Sequence, residues 1–241
     1  MLPIRDTVRS YSFPTVNWAL IGVNSVIFLY EAMLSPARLN QLIAHYGLVP
    51  ARLHLTDPQW MATHPLGLAT LFTSMFLHGG WLHVISNMWF LYIFGDNVED
   101  RMGSLRYLAF YLASGLIAGL AQALVLPNSQ LPTIGASGAI AGVLGAYLLM
   151  YPKGRVLTLV FIFILPWFIE IPAVFYLGFW FLSQILSGLS FLNLSNSAQM
   201  GGIAWWAHIG GFVFGMIAYR FFTTNRHRAI TRRYPDEYQP W

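Results

Sequence analysis

Residues 135–142 read Gly135-Ala136-Ser137-Gly138-Ala139-Ile140-Ala141-Gly142 and open an apolar run that continues to Tyr151. The small neighbours leave the Ser137 hydroxyl uncovered, and a helix that begins here directs free backbone N–H groups toward charge developing nearby. Ser137, Ala141 and Gly145 lie four residues apart, so they form a small-residue face that a second helix can approach closely. The stretch therefore predicts a nucleophile at the start of a tightly packed helix.

A second small-residue face begins in residues 207–211, Ala-His-Ile-Gly-Gly. His208, Gly211 and Gly215 share one side of the helix predicted there. Small residues in membrane helices commonly serve packing alone, and packing would explain a single Gly-x-Ser-Gly pattern. A histidine within a membrane is costly, however, and its position on a face that suits the serine helix favours a serine–histidine dyad.

The composition indicates an integral membrane protein. Of the 241 residues, 56% are hydrophobic and only 9% are charged, whereas about a quarter are charged in soluble proteins. The chain has no cysteine, so disulfides and thiolate chemistry are excluded. The formal charge of +4 is spread over loop ends and a basic tail. We attribute these basic residues to membrane topology and to contact with lipid, and nucleic-acid binding is not expected.

Six apolar stretches predict a bundle of six membrane-spanning helices in one domain, residues 1–241. The predicted spans are 18–34, 82–98, 105–126, 137–151, 171–189 and 202–222. The fourth is short, because its fifteen residues reach about 22 Å against a hydrocarbon core of roughly 30 Å. We therefore predict an all-α membrane protein with a long first loop, residues 35–69, and a short fourth span that carries Ser137 in a water-accessible recess.

Residues 156–169 are apolar but number only fourteen, which predicts a re-entrant or interfacial segment rather than a seventh span. The distribution of basic residues supports this count, because Lys and Arg accumulate on the cytoplasmic side. With six spans one side carries ten basic residues: Arg5, Arg9, Arg101, Arg106, Lys153, Arg155, Arg226, Arg228, Arg232 and Arg233. On the opposite side, loops 127–132 and 190–201 carry none, and Arg38 and Arg52 lie in the long first loop, which the rule weights less. Both termini are then cytoplasmic and the dyad lies toward the outer face. The short tails favour a prokaryotic cytoplasmic (inner) membrane.

His83 and Asn87 lie four residues apart where the second span begins at its outer end. One helical face there presents two hydrogen-bond donors at the expected depth of Ser137. Together with the backbone N–H of Ser137 they would suit an oxyanion, and one such donor is worth about 3 kcal/mol. A structural alternative has equal weight from this segment alone: Asn87 bridges helices and His78 caps the start of the span.

Taken together, Gly-x-Ser-Gly at Ser137, Ala-His-x-Gly-Gly at His208 and His83-x-x-x-Asn87 resemble the rhomboid family of intramembrane serine proteases. Residues 94–103, with Phe94-Gly95, Val98-Glu99 and Gly103, are also similar to that family. The resemblance implies that Ser137 is the nucleophile and that His208 is its general base and later its general acid. It implies that His83, Asn87 and the Ser137 N–H bind the oxyanion. The implied substrates are single-span membrane proteins in the lipid bilayer, cut near the outer end of the helix.

The resemblance also assigns the fifth span and the loop 190–202 to substrate gating and capping. Aromatic residues of that span would face lipid or the gate: Phe175, Phe179, Trp180 and Phe181.

Two positions depart from the family pattern. Many rhomboids carry an aromatic residue four positions after the nucleophile, where Ala141 stands here, which leaves Trp205 or Trp206 as candidates for orienting His208. A Trp-Arg pair that is common in the first loop of the family is replaced by Ala69-Thr70.

Other functions are less consistent with the sequence. A non-catalytic rhomboid-like protein that binds or escorts membrane clients is the main alternative, but inactive relatives usually lack the serine or the histidine. A transporter or channel would need paired charges or broken helices at mid-membrane. No H-E-x-x-H pattern is present, and the other histidines have no regular spacing, so neither a metal nor a cofactor is expected: His45, His54, His64 and His227.

Overall fold

The computed structural model describes residues 1–54, 57, 59, 63–192 and 204–223. Its helices are α1 Thr15–Ala32, α2 Pro36–Tyr46, α3 Pro65–Thr73, α4 Trp81–Met102, α5 Ser104–Val125, α6 Ser137–Met150, α7 Ala173–Leu192 and α8 Trp205–Phe222. Two short 3-10 helices, Pro50–Arg52 and Ser74–Phe76, lie before and after α3. Three strands, β1 Leu2–Asp6, β2 Arg155–Ile162 and β3 Leu165–Pro172, form one antiparallel sheet in the order β1-β2-β3.

A helix occupies most of each of the six stretches that we predicted to span the membrane, and the mainly helical class is confirmed. Among the described helices, α5 and α7 are long and apolar enough on their own to cross a bilayer. Residues 67–76 and α4 form a pair bent by 81° that makes a third candidate. As predicted, α6 is short, with 14 residues. Six crossings and one domain over residues 1–241 stay predictions.

The three-stranded sheet is the main difference from the all-α prediction. Residues 156–169, predicted to be re-entrant or interfacial, form most of the β2–β3 hairpin, and β1 pairs with β2 through contacts such as Leu2 with Leu159. The hairpin is rich in β-branched and aromatic residues, which favour strands. At its turn Phe163 and Ile164 are fully exposed, so this sheet extends an apolar surface beyond the helices.

The core of the fold is α6, in which every residue from Gly138 to Tyr147 is buried. Glycines bring it into backbone contact with α8. A Cβ added to Gly145 would lie 2.1 Å from the carbonyl oxygen of Phe212, and one added to Gly215 would lie 2.0 Å from that of Gly142. The contact therefore runs along Gly138, Gly142 and Gly145, so it shares Gly145 with the predicted Ser137–Ala141–Gly145 face and is otherwise shifted from it by one residue. This offset leaves Ser137 at the edge of the helix contact.

Candidate active site

Ser137 and His208 form a direct hydrogen bond, with 2.7 Å between Ser137 Oγ and His208 Nε2. Ser137 is the first residue of α6, and His208 lies in the first turn of α8. The glycine contacts between these helices bring the two side chains within reach. Both residues are only partly buried, so a hydroxyl and an imidazole are paired where another molecule has access.

The backbone before Ser137 is held by glycine geometry and by the first loop. Gly135 has φ +124°, a conformation that L side chains rarely adopt, and a Cβ there would lie 2.7 Å from His83 Nε2. The Gly135 N–H donates to the carbonyl oxygen of Ser74 at 2.9 Å. Leu48 and Thr133 exchange two backbone hydrogen bonds of 2.7 and 3.1 Å. Backbone pairing therefore connects the first loop to the segment that presents the serine.

His208 is held on its other side by α7. Its Nδ1 lies 2.8 Å from Gln184 Oε1, and the Trp180 ring lies 5.9 Å away at an interplanar angle of 35°. Trp205, one of the two predicted substitutes for the missing aromatic, meets the imidazole edge-on at 6.4 Å. Neither Gln184 nor the Trp180 contact was predicted. The available signal was Trp180-x-x-x-Gln184, an amide one helical turn from a tryptophan in an otherwise apolar span.

The predicted oxyanion donors lie around Ser137. The Gly79 N–H donates to His83 Nδ1 at 3.3 Å, so the proton of a neutral His83 ring belongs on Nε2, which faces Gly135. Asn87 is buried, and its Nδ2 has no hydrogen-bond partner within the described part of the chain. An unpaired buried donor costs about 1–3 kcal/mol. Asn87 thus keeps a buried amide donor that no described residue satisfies.

His78 serves the fold beside this site. Its backbone N–H donates to the Glu31 carboxylate at 3.1 Å. The ring packs edge-on against Phe28 and against His83, with centroids 6.5 and 5.1 Å apart. His78 therefore ties the start of α4 to α1 and forms a wall behind the His83 imidazole.

A recess of about 1000 Å³ joins these groups. His83 and Asn87 border it from α4, Ser137 from α6 and His208 from α8, while Trp180 closes the α7 side. Polar side chains thus converge in a space that admits water and a short length of extended chain. Among the described residues no group of three or more His, Asp or Glu is placed to hold a metal ion.

Glu170 and three aromatic residues of α7 lie away from the dyad. Glu170 pairs with Arg155 at 3.8 Å on the exposed sheet. Phe175 and Phe179 are exposed on α7, as expected for a lipid-facing surface, whereas Phe181 stacks on Phe212 with centroids 4.4 Å apart. Most of the loop 190–202 and all four tail arginines lie outside the described residues.

The family model for the rhomboid domain matches residues 65–225, which include Ser137, His208, His83 and Asn87. The chain belongs to the rhomboid family. The predicted resemblance is confirmed, and the chain is an integral membrane protein of a family that includes serine proteases.

Named rhomboid relatives include bacterial, plant and human proteins. Rhomboid protease GluP of Bacillus subtilis (strain 168) is 34% identical over 199 residues, 83% of this chain and 34% of that protein. RHOMBOID-like protein 6, mitochondrial, of Arabidopsis thaliana is 35% identical over 156 residues, 56% of this chain and 50% of that protein. Presenilin-associated rhomboid-like protein, mitochondrial, of Homo sapiens is 26% identical over 219 residues, 88% of this chain and 48% of that protein. Each match covers half or less of the relative's own length.

Proposed function

We propose that this chain is an intramembrane serine endopeptidase that cleaves transmembrane-helix substrates near the non-cytoplasmic face. The observation that supports this most strongly is the 2.7 Å hydrogen bond between Ser137 Oγ and His208 Nε2 at the border of a polar recess. A nucleophile within hydrogen-bond reach of a general base is the arrangement that acyl transfer requires. The relative from Bacillus subtilis is named Rhomboid protease GluP, which agrees with a proteolytic function.

Acylation begins when Ser137 Oγ attacks the carbonyl carbon of the scissile peptide and His208 Nε2 takes the hydroxyl proton. The tetrahedral oxyanion then accepts hydrogen bonds from His83 Nε2, Asn87 Nδ2 and the backbone N–H of Ser137. The carbon–nitrogen bond breaks as His208 returns the proton to the departing amine. An ester between Ser137 and the N-terminal part of the substrate remains.

Deacylation repeats these steps with water. His208 removes a proton from a water molecule, the resulting hydroxide attacks the ester carbonyl, and the same three donors bind the oxyanion. Collapse restores the Ser137 hydroxyl with the proton from His208 and releases the new carboxylic acid, which then loses its own proton to solvent. Atoms and charges balance without a metal, a cofactor or a catalytic carboxylate.

The substrates we propose are single-span membrane proteins. A peptide carbonyl can reach Ser137 Oγ only from an extended backbone, so the substrate helix has to unwind locally near its outer end. Glycine costs about 1 kcal/mol in a helix relative to alanine, and helix-weakening residues at the cut should therefore favour cleavage.

The orientation, with both termini in the cytoplasm, is proposed from the charge distribution, whereas the assignment to a prokaryotic cytoplasmic membrane stays a prediction. The relatives include mitochondrial and bacterial proteins. Accessibility of single introduced cysteines to a membrane-impermeant thiol reagent tests the orientation directly, because the native chain has no cysteine.

The function is tested with a serine-directed fluorophosphonate probe and with cleavage of a panel of single-span helices in liposomes. Ser137→Ala and His208→Ala should each abolish labelling and cleavage. Ser10→Ala, at a partly exposed serine before α1, should retain both. A folded unsubstituted protein that is neither labelled nor active, but that retains membrane clients, would support the escort alternative instead.

A further inference from the structure

We infer that Gln184 is a positioning residue that fixes the tautomer of His208 and thereby leaves Nε2 free to accept the Ser137 proton. This inference rests on the proposed proteolytic function and deepens it. It supplies the orienting contact that the family pattern would place at position 141, where the chain has alanine.

The orientation of the Gln184 amide is set by its own helix. Gln184 Nε2 donates to the carbonyl oxygen of Trp180 at 3.3 Å and to Ser183 Oγ at 3.0 Å. A carbonyl oxygen can only accept, and the Ser183 hydroxyl donates its proton to the same Trp180 oxygen at 2.6 Å. Both neighbours therefore require the NH₂ group of Gln184, and Oε1 is the atom that faces His208.

The amide oxygen determines where the imidazole proton lies. Gln184 Oε1 is 2.8 Å from His208 Nδ1, and because it can only accept, Nδ1 must donate. A neutral imidazole has one N–H, so His208 Nε2 then carries a lone pair, and this atom is 2.7 Å from Ser137 Oγ. In the opposite tautomer, the lone pair of His208 Nδ1 would face a lone pair of Gln184 Oε1. The observed contacts therefore select the tautomer that a general base needs.

Burial makes this contact effective. Gln184 is 6% exposed in a span that is otherwise mostly apolar, where an unpaired amide would be costly. One turn earlier, Trp180 packs against both His208 and Phe212. The same side of α7 thus supplies an acceptor for Nδ1 and an aromatic wall for the ring, so a dyad built on α6 and α8 depends on the position of α7.

Two substitutions at Gln184 distinguish the effect of losing the hydrogen-bond acceptor from the effect of changing the shape of the side chain. Gln184→Met keeps an unbranched side chain of similar length without an acceptor, and Gln184→Glu keeps an acceptor and adds charge. Leu182→Met is the matched control, because Leu182 is half-exposed on the same helix. Cleavage of a single-span substrate in liposomes should show kcat reduced about tenfold to a hundredfold by Gln184→Met, with KM within about twofold. Leu182→Met should change neither constant.

The pH dependence of kcat distinguishes positioning from a merely structural role. In Gln184→Glu the carboxylate favours the imidazolium, so the acidic limb of the pH–rate profile should move to higher pH while more activity survives than in Gln184→Met. His83, the other titratable group that borders the recess beside the dyad, is unchanged in every variant. A profile for Gln184→Glu that coincides with that of the unsubstituted protein would contradict the inference.

The tautomer can be observed without proteolysis by ¹⁵N NMR of histidine-labelled protein. In Ser137→Ala we expect His208 to carry its proton on Nδ1, and in Ser137→Ala/Gln184→Met we expect a mixture of tautomers. Retention of the Nδ1 proton without Gln184, or an unchanged kcat in Gln184→Met, would overturn the inference and leave Ser137-dependent cleavage intact. Absence of such cleavage in the unsubstituted protein, together with the expected tautomers, would instead overturn the proposed function.

Discussion

The carboxylate of Glu99 accepts a hydrogen bond from the backbone N–H of Asn17 at 2.7 Å and so binds the start of α1 to the end of α4. It also accepts from the Val16 N–H at 3.1 Å and from the Ser104 hydroxyl at 2.6 Å. Only 1% of Glu99 is exposed, and helix N-termini favour a negative charge. The Val98-Glu99 pair that contributes to the family resemblance is therefore an anchor for the first helix.

Glu99→Ala should lower the free energy of unfolding by about 3 kcal/mol, because one buried donor and two partly buried donors lose their acceptor. Thermal unfolding in detergent measures this as a lower Tm. The matched control is Glu170→Ala, since Glu170 makes an exposed ion pair of 3.8 Å and such pairs contribute about 0–1 kcal/mol. Equal losses of stability in the two variants would contradict the anchoring role of Glu99.

Gly215→Ala should separate α6 from α8 and with them the two members of the dyad. Its added methyl group would lie 2.0 Å from the Gly142 carbonyl oxygen, and overpacking of this kind costs about 1–3 kcal/mol or more. We expect a lower Tm and loss of labelling by a fluorophosphonate. Gly22→Ala is the control, because nothing lies within 4 Å of a Cβ at that position on α1. If Gly215→Ala labels as well as Gly22→Ala, the close contact is not what assembles the dyad.

Asn87→Leu should lower kcat by about a hundredfold to a thousandfold with little change in KM, as expected for a donor that acts on the transition state. The same change should leave Tm equal or higher, because a buried donor without a partner in the described structure is replaced by an apolar group. Steady-state cleavage and thermal unfolding measure the two effects. Asn40→Leu, at an exposed position in α2, should alter neither, and a loss of stability without a loss of kcat in Asn87→Leu would favour the bridging role.

Asp6 should make stability depend on pH. Its carboxyl has a pKa raised to about 7, chiefly by burial, with a smaller rise from the nearby Asp96 and a partly compensating decrease from the hydrogen bond of Tyr147. The folded protein thus holds this proton more tightly than the unfolded chain. Its contribution is complete below about pH 4, the ordinary value, and is lost as the pH rises through about 7, at about 1 kcal/mol per pH unit.

Asp6→Asn should flatten the dependence of the unfolding free energy on pH between about 4 and 7. Denaturant titrations at several pH values provide the measurement. Glu170→Gln, on the exposed surface of the same sheet, should keep the slope of the unsubstituted protein. An unchanged slope in Asp6→Asn would show that another group is responsible.

The sequence was sufficient to predict the helices of the six apolar stretches and the proximity of Ser137 to His208, but not the helices α2 and α3 in and after the first loop. Apolar runs and small-residue faces are local signals, and a histidine in a membrane helix is rare enough to stand out. The pairing of β1 with β2 was missed because the two strands are about 150 residues apart in the chain, so neither carries a local sign of its partner. The β2–β3 hairpin did carry a local signal in its β-branched and aromatic residues, but its short apolar run was interpreted as re-entrant or interfacial. Gln184 was missed because a neutral amide in an apolar run does not reveal that it faces a residue 24 positions later.

In the proposed mechanism, the volume of about 1000 Å³ around Ser137 has a consequence for turnover. A polypeptide that fills it in extended form displaces the solvent on which hydrolysis of the ester depends. Release of the amine-bearing fragment then has two effects: it prevents the peptide bond from re-forming, and it lets the pocket refill. The residence time of that fragment should therefore govern the turnover rate. This residence time depends on how readily the fragment partitions into the surrounding acyl chains.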